Sequence, residues 1–293
     1  MDAAVAGGRT FTAIGTRWQI DTRVPLAASV SSEIDAVIAR FDREWSRFRD
    51  DSLVSALALS GGAVNAPADA EAMLGRYVAL AEATAGAVNP LIGDALARRG
   101  YDARISLEDR GAQAAPQGWR DLLTWTDGEL ALAEPAMIDV GALGKGRLVD
   151  LVGAVLAART DGPFVVDASG DILVHGVRAR VALEHPYDPR RAIGVWEVSE
   201  GALCASATNR RAWTGPGGVG LHHVLDARTG EPVREIAATW ALAADAMTAD
   251  AAATALFFAG GDAFAHDHDA QWVRMTTSGR VEWSHGCTAE LFT

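Results

Sequence analysis

The sequence predicts an α+β fold. Helical apolar periodicity dominates the first half of the chain, and short strand-like runs dominate the second. The two types do not alternate as repeated βαβ units, which argues against a doubly wound parallel sheet. The 293 residues are 49% hydrophobic and 22% charged, enough to bury a sizeable core. We read 1–293 as one domain with room for two subdomains.

Residues 9–24 place Phe11, Ile14, Trp18, Ile20 and Val24 in loose alternation, a strand or hairpin start with Gly15 as a bulge. Ser31 to Trp45 carries Ile34, Val37, Ile38, Phe41 and Trp45 at helical spacing, with Ser31 or Ser32 as N-cap. Residues 67–85 repeat the pattern, with Pro67 near the start and Gly86 past the end. Residues 100–120 are polar and read as a loop, and 121–134 as a hairpin around Asp127-Gly128. A glycine-rich turn at 141–146 leads into a helix from Gly146 to Ala158.

Short strands follow at Phe164–Asp167, Ile172–His175, Val181–Leu183, Gly194–Val198, His223–Leu225 and Ile236–Leu242. Ala246 to Ala259 reads as a final helix closed by Gly260-Gly261, and strands at Trp272–Thr276 and Arg280–Trp283 end the chain.

A net charge of −12 disfavours nucleic acid, which needs a basic face, and anionic membrane surfaces. Any anionic ligand must meet positive charge built into its own site. Cys204 and Cys287 lack metal or CxxC spacing and read as two buried thiols. The N-terminus has neither a basic nor an apolar signal region, and no uncharged apolar stretch reaches the ~20 residues of a membrane span. The expectation is a cytoplasmic chain with no membrane span.

Four segments can carry chemistry. In the Ala-rich segment Ala249–Leu256, Asp250 and Thr254 are four apart and share a helix face. A carboxylate and a hydroxyl suit a hard cation such as Mg²⁺; a solvated Asp and a Thr bonded to its own helix fit the spacing as well. Asp139–Asp150 holds three glycines and Lys145 before a helix, a turn able to approach phosphate, though tight turns need glycine for steric reasons too. Ser169-Gly170-Asp171 joins two strands and reads equally as a plain β-turn. His222-His223 precede a tight turn; adjacent strand residues point to opposite faces, so one of them faces a given site. A histidine beside phosphate can serve as general base, and a structural histidine fits equally.

Together and in this order these segments resemble the ApbE family, the FAD:protein FMN transferases. The resemblance runs from about residue 11 to 260 and includes Ile14-Gly15-Thr16-Arg17-Trp18, the stretch Trp45–Ser55, and Gly86-Ala87-Val88-Asn89-Pro90. It implies mixed or antiparallel sheets flanked by helices, with an FAD and Mg²⁺ site between subdomains. It further implies transfer of FMN from FAD to a threonine hydroxyl of an acceptor protein, with release of AMP.

Carried over residue by residue, Asp250 and Thr254 would be side-chain metal ligands and the Ala142 carbonyl a backbone ligand. FAD contacts would fall at Ile14, Phe48, Ala87, Val88, Asn89, Asp139, Lys145 and Val224, with His223 as base. FAD binding without transfer, and hydrolysis of FAD to FMN and AMP, are the alternatives. Departures from the family pattern are Ile14 for Met, Phe48 for Tyr, Ala58 for Asn, Asn89 for Asp and Ala142 for Gly.

Overall fold

The structure, a computed structural model, describes residues 7–292. The stretch Met1–Ala6, which begins the N-terminus read above, lies outside them. An eight-stranded sheet forms the centre, and its spatial order follows chain order. Its strands are β1 (Gly7–Ala13), β2 (Thr16–Thr22), β3 (Phe164–Asp167), β4 (Asp171–His175), β5 (Gly201–Ala207), β6 (Ile236–Ala243), β7 (Gln271–Thr276) and β8 (Val281–Trp283). Every pairing in it is antiparallel, so of the expected mixed or antiparallel sheets the antiparallel form is observed.

The connections hold the other elements. Between β2 and β3 come helices α1 (Ala28–Trp45), α2 (Leu53–Ser60), α3 (Ala70–Ala83), α4 (Gly93–Arg98), α5 (Trp119–Leu122) and α6 (Gly144–Arg159). Between β6 and β7 come α7 (Ala246–Ala255) and α8 (Gly261–Asp267).

The period of two along each strand divides the core. Val166, Ala202, Cys204 and Ala241 join the helices in one buried cluster. Val174, Leu203, Trp240 and Val273 join a second, packed against Leu183, Ile193 and Trp196 of a small three-stranded sheet. Each such large side chain, fully buried, contributes about 1.5–3 kcal/mol.

Several expectations change. Gly15 is not a bulge: Ile14 and Gly15, at φ 44° and 74°, form the tight turn of the β1–β2 hairpin, whose register is unbroken. α1 starts a turn earlier than Ser31, because Val30 continues the buried stripe of Ile34 and Ile38; Ala27 caps it without a side-chain bond. The helix expected over 67–85 is Ala70–Ala83, and the one expected from Gly146 starts at Gly144. The loop read over 100–120 already enters α5 at Trp119. Helix α2, capped by the Ser52 side chain, and the short α4 and α8 carry too few turns to show a period.

α7 ends at Ala255 rather than Ala259. Gly260 packs so closely on the end of α3 that a Cβ there would lie 1.9 Å from the Ala83 carbonyl, so the chain turns out of the helix first. The strand expected over His223–Leu225 is interrupted: ladders end at His222 and resume at Leu225. The His222 side chain takes over local bonding there, accepting from Val224 N–H at 3.3 Å and meeting the Val233 carbonyl at 2.8 Å. Cys204 is buried as expected and Cys287 only half-buried; both are free thiols. Among the described residues no helix is long and apolar enough to cross a membrane.

Candidate active site

A cleft of about 1110 Å³ opens where several connections converge. The β1–β2 turn brings Ile14, the loop after α1 brings Phe48, and the loop after α3 brings Ala87, Val88 and Asn89. The segment entering α6 supplies Asp139, Ala142 and Lys145, the interrupted strand supplies His223 and Val224, and α7 supplies Asp250 and Thr254. All twelve residues singled out in the sequence therefore line one cavity. His222 and Ala58 are not among its lining residues.

At its floor lies a charged cluster. Asp171, fully buried at the start of β4, pairs with Lys145 Nζ at 2.6 Å. Asp250 is 5% exposed, not the solvated carboxylate that spacing alone allowed. Its Oδ2 accepts from the Gly146 N–H at 2.9 Å. Gly146 is required by close helix contact, since a Cβ would lie 2.1 Å from the Ala246 carbonyl. Burial, then the Asp171 carboxylate, raise Asp250 well above the usual carboxylate range, against the pull of Lys145 and the Gly146 N–H. Burial alone would lower the Lys145 ammonium; Asp171 and Asp250 outweigh it and raise it.

Two carboxyl groups thus face one lysine, and a cation bound beside them would favour the ionised form of Asp250. Because Gly146 N–H bonds Asp250 instead of the Ala142 carbonyl four residues back, that carbonyl is spared a helical partner. The Asp250 carboxylate, Thr254 hydroxyl and Ala142 carbonyl are all hard oxygen donors, the type Mg²⁺ prefers. Among the described residues no group of three or more His, Cys, Asp or Glu could hold a metal ion, so any cation here rests on this mixed set.

Asp139 is tied down. Its carboxylate accepts from Arg47 Nε at 2.5 Å and Gly141 N–H at 2.7 Å, and its carbonyl accepts from the Tyr77 hydroxyl at 2.9 Å. Tyr77 OH in turn accepts from Ala142 N–H at 3.3 Å, so one buried tyrosine orients the whole turn. Asn89 is likewise spent on structure: its amide donates to the Pro116 carbonyl at 2.8 Å and accepts from Leu91 N–H at 2.8 Å. An ionised Asp, usual here in the family pattern, could accept from Leu91 but not donate to Pro116, so Asn89 has a structural role; what it offers the cleft is backbone and shape.

On the opposite arm, the Arg47 guanidinium lies 4.2 Å from the Phe48 ring centre and 4.8 Å from that of Tyr101. Tyr101 meets His223 edge-on at 6.4 Å and stacks on Trp213 at 6.1 Å. Burial first, then the Arg211 and His222 charges, lower His223 to about 3, so its ring is neutral at neutral pH and can accept a proton. Arg17, Arg47, Arg49, Lys145, Arg210 and Arg211 line the cleft against Asp42, Asp139 and Asp250. The cleft is cationic within a chain of net charge −12, which answers the charge problem of an anionic ligand.

The model of the ApbE family matches residues 14–272. The chain belongs to the ApbE family. A Rhodobacter capsulatus protein named FAD:protein FMN transferase is 28% identical over 269 residues, covering 86% of this chain and 51% of the relative. One of the same name from Treponema pallidum is 27% identical over 294 residues, covering 86% and 78%. The chain thus spans about half the length of the Rhodobacter relative. The ApbE protein of Thermotoga maritima superposes with a TM-score of 0.83 at 21% identity, over 95% of this chain and 97% of that one. The flavinyl transferase ApbE of Pseudomonas stutzeri, in its apo form, gives 0.79 at 20% identity, over 94% of each. These likenesses show the α+β fold that the sequence predicted.

Beside this ApbE-family cleft lies Asp171, which sequence reasoning placed in a chemistry-bearing turn without a role, and in the cleft it missed Arg47, Tyr101 and Arg211 as candidate site residues. Asp171 carried one signal: an Asp opening an apolar strand faces inward and needs a cation. The other three meet only through loops far apart in the chain, and no spacing rule joins them.

Proposed function

We propose that the protein transfers FMN from FAD to a threonine hydroxyl of an acceptor protein, with Mg²⁺ present and AMP released. The single observation that carries this is the convergence of the Lys145–Asp171–Asp250 cluster and a neutral His223 on one cationic cleft, in a member of this family. Asp250, Thr254 and the Ala142 carbonyl would hold Mg²⁺, which when bound offsets phosphoryl charge. Lys145, fixed by Asp171, supplies a point charge for the pyrophosphate.

His223 accepts the threonine proton as the threonine oxygen bonds to the flavin-side phosphorus. The bond from that phosphorus to the bridging oxygen breaks, and the oxygen leaves with AMP. A positioned base contributes about 10²–10⁴-fold. Phe48, 39% exposed at the cleft and braced by Arg47, offers a ring for the flavin in place of the family's tyrosine.

The test is to incubate the protein with FAD, Mg²⁺ and a candidate acceptor, then measure acceptor mass and AMP. A gain of one FMN moiety supports transfer. AMP without that gain points to hydrolysis, and FAD retained with neither product makes the protein a flavin binder.

A further inference from the structure

Arg211 lines the cleft, and among the described residues its guanidinium enters no ion pair. Its Nη1 donates to the Tyr101 hydroxyl at 2.5 Å, and the guanidinium sits 5.5 Å from that ring's centre. Tyr101 is itself immobilised: its carbonyl accepts from Arg47 Nη1 at 2.7 Å, and Trp213, on which it stacks, donates Nε1–H to the Arg99 carbonyl at 3.1 Å. Arg47 is 5% exposed, lines the same cleft, and its buried Nη2 has no hydrogen-bond partner among the described residues. A buried guanidinium N–H without a partner is costly and calls for a specific role.

We propose that Arg211 and Arg47 form an oxyanion subsite beside His223 that binds the flavin-side phosphate of FAD. This rests on the flavin-transfer reading above. A base and the phosphorus under attack must lie on either side of one threonine oxygen, so donors for that phosphate's oxygens belong next to His223. Lys145 sits on α6, and Asp250 and Thr254 on α7, elements that carry neither arginine. Arg47 is neutralised by Asp139, so it offers direction; Arg211 offers direction and net charge. The planar fork of arginine suits two oxygens of one phosphate, where lysine supplies only a point charge.

His223 faces Arg211 and His222, which hold its proton affinity down, and Asp139, which acts weakly the other way. Phosphate on Arg211 would offset the first of these charges and make His223 a stronger base only once substrate is in place.

The test compares FMN with riboflavin, which differ by the phosphate alone, using flavin fluorescence titration. The wild-type protein is expected to prefer FMN by about tenfold or more, the yield of a charge-assisted hydrogen bond. Arg211→Met should lose most of that preference while riboflavin affinity stays unchanged, and Arg211→Lys should fall between. If the Met variant does not fold, Arg211→Gln decides in its place with the same expected loss. An undiminished preference for FMN in the folded variant overturns the subsite and leaves the flavin reading standing. Binding of neither flavin by the wild-type protein overturns both.

Discussion

The Asp250 carboxylate accepts the Gly146 N–H at 2.9 Å across the crossing of α6 and α7. That bond ties α6, which carries Lys145, to α7, which carries Asp250 and Thr254. Gly146→Ala would press a Cβ to 2.1 Å from the Ala246 carbonyl and 2.8 Å from Asp250 Cβ. Both neighbours are inside packed helices, so they cannot yield cheaply. We expect a loss of at least about 1–3 kcal/mol, the usual cost of overpacking, read as a lower denaturation midpoint. An unchanged midpoint would mean that the helices separate freely.

Asp250→Ala removes the only carboxylate among the three donors assigned to the cation. Mg²⁺ affinity by calorimetry should fall by more than the roughly 10–100-fold that loss of an outer-shell partner costs. Mg²⁺-dependent activity should vanish with it. Retained Mg²⁺ binding would move the cation elsewhere in the cleft.

Much of this was legible in the sequence, for physical reasons. Long periodic elements such as α1 and the period-two strands announce their buried faces, and the α+β class follows from their order. The candidate site residues were named by carrying the ApbE resemblance over residue by residue; the glycine-rich turn at 141–146 was open to a purely steric reading as well. What stayed hidden depends on tertiary closure. Tyr101 lies in a polar stretch read as a loop, yet it is buried by contacts with Arg47, Trp213 and Arg211, which come from distant segments of the chain. The end of α7 was misplaced for the same reason, since Gly260 answers to the Ala83 carbonyl and not to its own segment.

Asp150 holds the start of α7 by accepting the Ala246 and Met247 N–H groups at 2.7 and 2.9 Å. Burial, outweighing those two bonds, raises it from 3.8 to about 6. The folded state therefore binds more protons than the unfolded chain between these values, and stability declines as pH rises through that window. The span corresponds to about 3 kcal/mol at most, flat above pH ~6. Asp150→Asn keeps one acceptor oxygen and loses the titration. Denaturation of both proteins from about pH 4 to 7 should show their stability difference changing only below about pH 6.

Asn89→Asp tests whether the departure from the family pattern is structural. The carboxylate can still accept from Leu91 N–H, but it cannot donate to the Pro116 carbonyl and would face it lone pair to lone pair. Leaving a buried acceptor unpaired costs about 1–3 kcal/mol. We expect a lower thermal midpoint and a loosened 87–92 loop, visible as faster amide exchange at Leu91. A variant as stable as wild type would show that Pro116 finds another donor.

His223 gives the sharpest kinetic test, because its environment fixes both its state and its pH response. Burial and Arg211 hold it at about 3, so the free protein keeps a neutral ring well below the range where an ordinary imidazole protonates. kcat/KM, which reports the free enzyme, should stay flat on acidification through about pH 6 to 5. The limb for kcat should lie higher, since bound phosphate offsets Arg211 and raises the ring's affinity for a proton. His223→Gln should cut transfer by about 10²–10⁴-fold with FAD affinity retained. A kcat/KM profile that breaks near pH ~6.5 would show an imidazole free of both burial and Arg211, and the base would have to be sought elsewhere on the cleft wall.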